Sequence, residues 1–310
     1  MPTISLVYLM IALPAVAPAD NDKEVRGLIK DLKDPKAENR IIACQDLEKL
    51  GPDAKKAVPA LLETLKDKIA DVRTAAAYAL GAIGSDAKSI VPALVQTLKD
   101  KEPKVRAGAA YGLGTMGSKA KDAVAALAEA LKDKDESVKQ NAAHALGQIG
   151  PEAKSAIPAL AGALQDGKVR SYAAYALGLM GKEALPALKK AAGDKDEDVR
   201  VSAVVAVAML NKDGVPTLIT ALKDKSADVR LNAAGALGRL TAAAKDAVPA
   251  LIAALQDKEA DVRQRAAQAL GLIGPAAKDA VAALTALSKD KDENVRQTAA
   301  QALESIQDKK

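Results

Sequence analysis

A basic residue recurs nine times down this chain at a near-constant spacing, and nothing else in the sequence restricts the fold as much. Arg40, Arg73, Arg106, Lys139, Arg170, Arg200, Arg230, Arg263 and Arg296 fall in register with successive steps of 33, 33, 33, 31, 30, 30, 33 and 33 residues. A period of this length is the signature of a solenoid, in which each unit buries its apolar face only against its neighbours. The 310 residues therefore do not imply two globular domains, because an array can form one elongated body of any length.

Each copy contains two apolar helical patterns joined by a short charged turn, a first helix such as VPALLETLKD (58–67) and a second such as VRTAAAYALGAIG (72–84). Counting from the basic residue as zero, Val at −1, Ala at +3 and usually +6, Leu at +7 and an aliphatic residue at +10 share one side of a 3.6-residue wheel, which makes that side the core. Positions +1 and +5 are expected to point away from it. Gly at +11 (Gly51, Gly84, Gly117, Gly150, Gly181, Gly274), with Asn211 in one copy, suits a left-handed helix end. Pro59, Pro92, Pro158, Pro186, Pro216 and Pro249 are expected at first-helix starts, where a missing N–H matters least. An Asp six residues before the basic position (Asp34, Asp67, Asp100, Asp133, Asp194, Asp224, Asp257, Asp290; Asp166 only four before Arg170) is expected to bridge to the basic residues within and between copies.

This Asp, the VR-xxAAxALGxIG helix and the PAL-xxALKD helix resemble HEAT repeats, particularly the short variety named for the phycobilisome (bilin) lyases, over about residues 22–308. The resemblance implies an all-α, right-handed α-solenoid of about nine hairpins, with second helices lining a concave groove that holds other proteins. It also brings a catalytic alternative, a bilin-lyase-like or other HEAT-type enzyme. No nucleophile, base pair or metal cluster emerges from the spacing, and the single histidine cannot supply the several His-Glu pairs of the iron-binding HEAT-type hydroxylases. The reading is therefore non-catalytic and without cofactor or metal.

The second helices also carry what such a groove would use. At +5 the copies read Gln45, Tyr78, Tyr111, His144, Tyr175, Val205, Gly235, Gln268 and Gln301, with no charge. Across +1, +5 and +9 only Lys49 and Arg239 are charged among 27 residues, where the chain's 27% charged composition would give about seven. Tyr78, Tyr111, His144 and Tyr175 occupy one position in consecutive copies, so stacked helices are expected to align them as a ladder about 10 Å apart. Leu179 flanks it, and Val201, Val205 and Leu231 continue it as an apolar patch. These eight are the expected contacts for a protein or peptide partner, since exposed Tyr and aliphatic groups mark binding surfaces. The competing reading is that tight curvature partly buries +5 and makes the rings packing filler. Tyr172, at +2, fits packing or contact equally.

The remaining features bound the partner. Eight of eleven Arg sit at the repeat position, leaving Arg26, Arg239 and Arg265, which argues against a nucleic-acid surface. A polyanion alternative rests on Lys55, Lys88, Lys121, Lys154, Lys245 and Lys278 at +15, but acids at +13 or +16 accompany each and are expected to neutralise them. Cys44, the only cysteine, replaces the Ala of sister copies and reads as a small buried residue. Residues 1–19, apolar and ending in Ala17-Pro18-Ala19, read as a signal peptide without a basic start, too short to span a bilayer, ahead of one solenoid over 20–310. The expectation is a monomer, exported to the periplasm or secreted if residues 1–19 act as a signal and cytoplasmic if they do not.

Overall fold

The computed structural model describes residues 21–307; the signal-peptide reading of 1–19 lies outside them. Eighteen α-helices and no strand occur among the described residues. They pair as α1 (Asn21–Asp31) with α2 (Ala37–Leu50), α3 (Val58–Thr64) with α4 (Ala70–Ile83), α5 (Ala87–Thr97) with α6 (Pro103–Thr115), α7 (Val124–Ala130) with α8 (Glu136–Ile149) and α9 (Ile157–Ala163) with α10 (Arg170–Leu179). The array continues with α11 (Leu185–Ala191) and α12 (Glu197–Ala208), α13 (Val215–Ala221) and α14 (Ala227–Arg239), α15 (Val248–Ala254) and α16 (Ala260–Ile273), and α17 (Val281–Leu287) and α18 (Glu293–Gln307). This is the expected all-α solenoid. Its core is one continuous seam, in which the register positions Val72, Ala76, Ala79, Leu80 and Ile83 are fully buried, as are most of their counterparts in sister copies; Leu50, Leu240 and Leu303 are half-buried.

Between hairpins the chain passes through 3-10 helices that the sequence pattern did not reveal. They run seven residues in most copies but four at Gly181–Ala184 and Asn211–Gly214, which accounts for the two 30-residue steps. The proline assignment holds at Pro59, Pro158, Pro186, Pro216 and Pro249, each in the first positions of its helix. Pro92 is a correction: there the linker is itself α-helical, so the helix starts at Ala87 and the proline lies inside it.

All six expected glycines and Asn211 have positive φ, and Thr241 joins them at 49°. Their conformations are not uniformly left-handed helical. Gly84 is (φ 51°, ψ 10°), whereas Gly150 (φ 71°, ψ −140°) occupies a region essentially reserved for glycine.

The Asp–Arg ladder is more specific than its charges suggest. Arg73 donates Nε and Nη2 to both carboxylate oxygens of Asp100 in the next copy, while Nη1 holds the carbonyl of Asp67 in its own turn. The same geometry repeats at Arg40–Asp67, Arg106–Asp133, Arg200–Asp224, Arg230–Asp257 and Arg263–Asp290. Each Asp also accepts the backbone N–H two residues on, as Asp100 does from Glu102 at 2.9 Å, so one carboxylate shapes its turn and ties it to the preceding hairpin. Lys139 keeps a single contact to Asp166. The Arg170–Asp194 rung expected from the register is absent. The shortened turn leaves Arg170 donating to the Leu164 carbonyl and reaching Asp198 and Asp196, and Asp194 is taken by Gln165.

Candidate partner-binding site

Successive second helices pack along their lengths, while successive first helices meet sparsely. At five of the eight boundaries a small residue at +8 faces a small residue at +6 of the next copy and lets the second helices come close. A Cβ on Gly114 already touches Ala145 Cα at 3.0 Å, and the same holds for Gly147 against Ala176, Gly238 against Ala269 and Gly271 against Ala302. Between α4 and α6 both partners are glycine, and a Cβ on Gly81 would stand only 2.4 Å from Gly112 Cα.

This spacing decides what the stripe looks like. Tyr78 and Tyr111, carried by the two helices that meet glycine to glycine, meet edge to face with ring centroids 5.1 Å apart. The expected spacing of about 10 Å is therefore wrong here, because two helices without side chains at their contact let the rings converge. Tyr78 is half-buried, and burial, with the Glu48 charge next, raises its hydroxyl pKa above the ordinary value. Packing thus claims much of Tyr78, whereas Tyr111 stays 39% exposed.

Further along, the surface is open. His144 is half-buried and hydrogen-bonds Gln148 across one turn at 3.1 Å through Nε2. Tyr175 is 48% and Val205 45% exposed, with Leu179 half-buried between them in sequence register. Position +5 is buried in no copy, so that half of the wheel assignment stands. Position +1 does not follow it: Ala107 is buried, and Val201 and Leu231 are half-buried, Val201 packing on the core. On a lone helix +1 faces outward; here the next helix comes near enough to cover it.

Two further apolar groups are exposed, Tyr172, which the sequence left open between packing and contact, and Leu272, which it did not single out. Tyr172, one turn before Tyr175, is 41% exposed, and Leu272 at +9 is 52% exposed. Their signal was an oversized apolar residue where sister copies carry Asn, Ser or Gln, as Asn141, Ser202 and Gln148 show. The +15 lysines are all exposed, and Lys88, Lys121, Lys154, Lys245 and Lys278 make no ion pair among the described residues, so the accompanying acids screen them only at a distance.

Two other features lie off the stripe. A cavity of about 670 Å³ opens among first helices and turns beside Lys189, Asp194 and Lys223, where Gly193 replaces the Lys or Gln of sister turns. The run Ala260–Leu287 is apolar and long enough to cross a membrane by composition, but it comprises α16, a 3-10 segment and α17, broken at Gly274. Among the described residues no three His, Cys, Asp or Glu side chains group as metal ligands.

Comparison with known proteins agrees with this architecture. Among solved structures, Kap121p shares the fold with a TM-score of 0.64 at 15% identity, aligned over 95% of this chain and 38% of its own. Importin beta gives a TM-score of 0.64 at 17% identity, over 91% of this chain and 46% of its own. Kap121p has also been solved bound to Nup53p, with a TM-score of 0.64 at 16% identity, over 92% of this chain and 37% of that one. The chain thus spans less than half the length of these karyopherins. No curated protein matches it. A profile of the PBS lyase HEAT-like repeat matches residues 169–194, and one of HEAT repeats matches 25–90, 91–177, 206–271 and 248–310. With most of its length matched in this way, the chain belongs to the HEAT-repeat family.

Proposed function

We propose that this protein is a non-catalytic scaffold whose second-helix surface holds a peptide or protein partner. The observation that carries the reading is the concentration of exposed Tyr111, Tyr172, Tyr175 and Val205 on a face whose +5 positions bear no charge. A large apolar group held in water is unfavourable unless something covers it, and Tyr adds a hydroxyl that can hydrogen-bond a partner's backbone. The tighter packing of second helices supports a bend toward them, which would make this face the inner wall of an arc. The likeness to karyopherins, one of them solved with a bound protein, is consistent with such use.

The test is capture from a native extract with the full chain and with Tyr111→Ala/Tyr175→Ala. Loss of a partner in the variant, with helical circular dichroism unchanged, supports the reading; equal capture overturns it. Heparin-resin binding that falls steeply with salt would instead favour the lysine rim. Export is part of the same proposal, and N-terminal sequencing of the native protein should then begin at Asp20. A monomer is expected in light scattering.

A further inference from the structure

Helix α14 carries Gly235 at the position where other copies present Tyr, His, Val or Gln. The missing side chain opens a cavity of about 210 Å³ between α14 and α16, lined by Gly235, Arg239, Arg265, Gln268 and Leu272 among others. Two arginine side chains flank the gap. A Cβ placed on Gly235 would lie 3.7 Å from Arg239 Nη1 and 3.4 Å from Arg265 Cδ. They are two of the three arginines outside the repeat register.

Their surroundings set them apart from the six arginines that clasp an Asp of the next copy. Arg265 Nη1 donates to Gln268 Oε1 at 2.9 Å, a neutral acceptor that holds the guanidinium without cancelling its charge. Neither Arg239 nor Arg265 forms an ion pair among the described residues. The other charge in the stripe, Lys49, is paired with Asp46 at 2.8 Å, so Arg239 is the unpaired charge there. Two cations gathered without a counter-charge repel each other, and an oxyanion placed between them relieves that repulsion while accepting charge-assisted hydrogen bonds. Leu272, 52% exposed on the same rim, offers an apolar contact beside the charge. The cavity has room for one side chain.

We infer that Gly235, Arg239 and Arg265 form a subsite for an acidic side chain of a peptide partner, with an apolar neighbour of that side chain resting on Leu272. The inference rests on the peptide-binding reading above and adds the chemistry the partner must bring. A carboxylate and a phosphoserine share the required oxyanion, and the experiment separates them.

The first arm titrates malonate, and separately inorganic phosphate, into the full chain at low salt and follows the arginine Nε–Hε resonances by NMR. Arg239 and Arg265 should shift together and saturate, with Arg26 as the unresponsive control, and Arg239→Gln should weaken the response at Arg265 by about tenfold. The second arm probes an array of short peptides in which Glu, phosphoserine and Gln alternate at each position. Preference for Glu or phosphoserine over Gln by about tenfold, lost in Arg239→Gln/Arg265→Gln, supports the subsite, and the better of the two identifies the oxyanion's source. Peptides retained without acidic preference, together with flat or Arg26-like resonances, would overturn the subsite and leave the peptide-binding reading intact. Saturable malonate binding with no peptide retained would do the reverse.

Discussion

Arg73 reaches both oxygens of Asp100 at 2.8 Å across the boundary between two hairpins, with only 9% and 15% of the two side chains exposed. Burial alone would raise the Asp100 pKa, but the arginine hydrogen bonds, the Glu102 N–H and the arginine charge outweigh it and hold the carboxyl below its ordinary 3.8. A depressed carboxylate contributes stability that is present above 3.8 and lost as pH falls below it toward the folded-state value. Asp67, Asp133, Asp224, Asp257 and Asp290 are shifted the same way, so acid should loosen all these boundaries together below about pH 4. Arg73→Gln leaves Asp100 with its burial, the Glu102 N–H and only the weaker charge of Lys101 to offset it. Its pKa should rise, loosening of that boundary should begin at higher pH, and local stability near neutrality should fall by about 3 kcal/mol. Hydrogen exchange in the turn around Asp100, followed against pH, checks both.

Two glycine substitutions should act in opposite directions. Gly81→Ala must push a methyl into the Gly112 backbone, 2.4 Å from Cα and 2.5 Å from the carbonyl oxygen. Overpacking of this kind costs about 2 kcal/mol, more than helix propensity returns, and should also part the Tyr78–Tyr111 rings, visible in near-ultraviolet circular dichroism. Gly162, exposed in α9 with nothing within 4 Å of its would-be Cβ, should gain up to about 1 kcal/mol as Gly162→Ala. Thermal unfolding ranks them.

Thr241 sits at φ 49° where sister copies use glycine or Asn211. A β-branched residue is strained there, and Thr241→Gly should stabilise the chain by about 1 kcal/mol in denaturant unfolding. A loss of stability would show that the hydroxyl contributes more than the backbone strain.

Cys44 is completely buried, and that burial, reinforced by the Asp67 charge, pushes its thiol up to about 12. Iodoacetamide at pH 8 should therefore leave it unmodified unless the first hairpins open. Arg40→Gln, which removes the rung to Asp67, should speed alkylation, and mass spectrometry of the alkylated protein measures it.

The hairpins and their core were legible because Val72, Ala76, Leu80 and Ile83 declare themselves within a single helix, where a 3.6-residue period needs no knowledge of neighbours. The Asp and Arg positions were legible too, as charges repeating in register. The candidate site was only half readable. A helical wheel gives the direction of Tyr78, Tyr175 or Val201 but says nothing of how near the next helix lies, and that distance separates the half-buried Tyr78 and Val201 from the exposed Tyr175. Likewise Arg239 and Arg265 read as two stray cations until the fold sets both side chains beside Gly235.

The sequence by itself determined a chain of paired helices, where each turns, and which side of each is apolar, because those are short-range consequences of side-chain period and turn chemistry. Only the tertiary structure decided how tightly neighbouring copies close, since that depends on small residues about one repeat apart, such as Gly81 and Gly112, coming into contact. That closure determines which rings are covered, which remain open, and which charges are left without a partner.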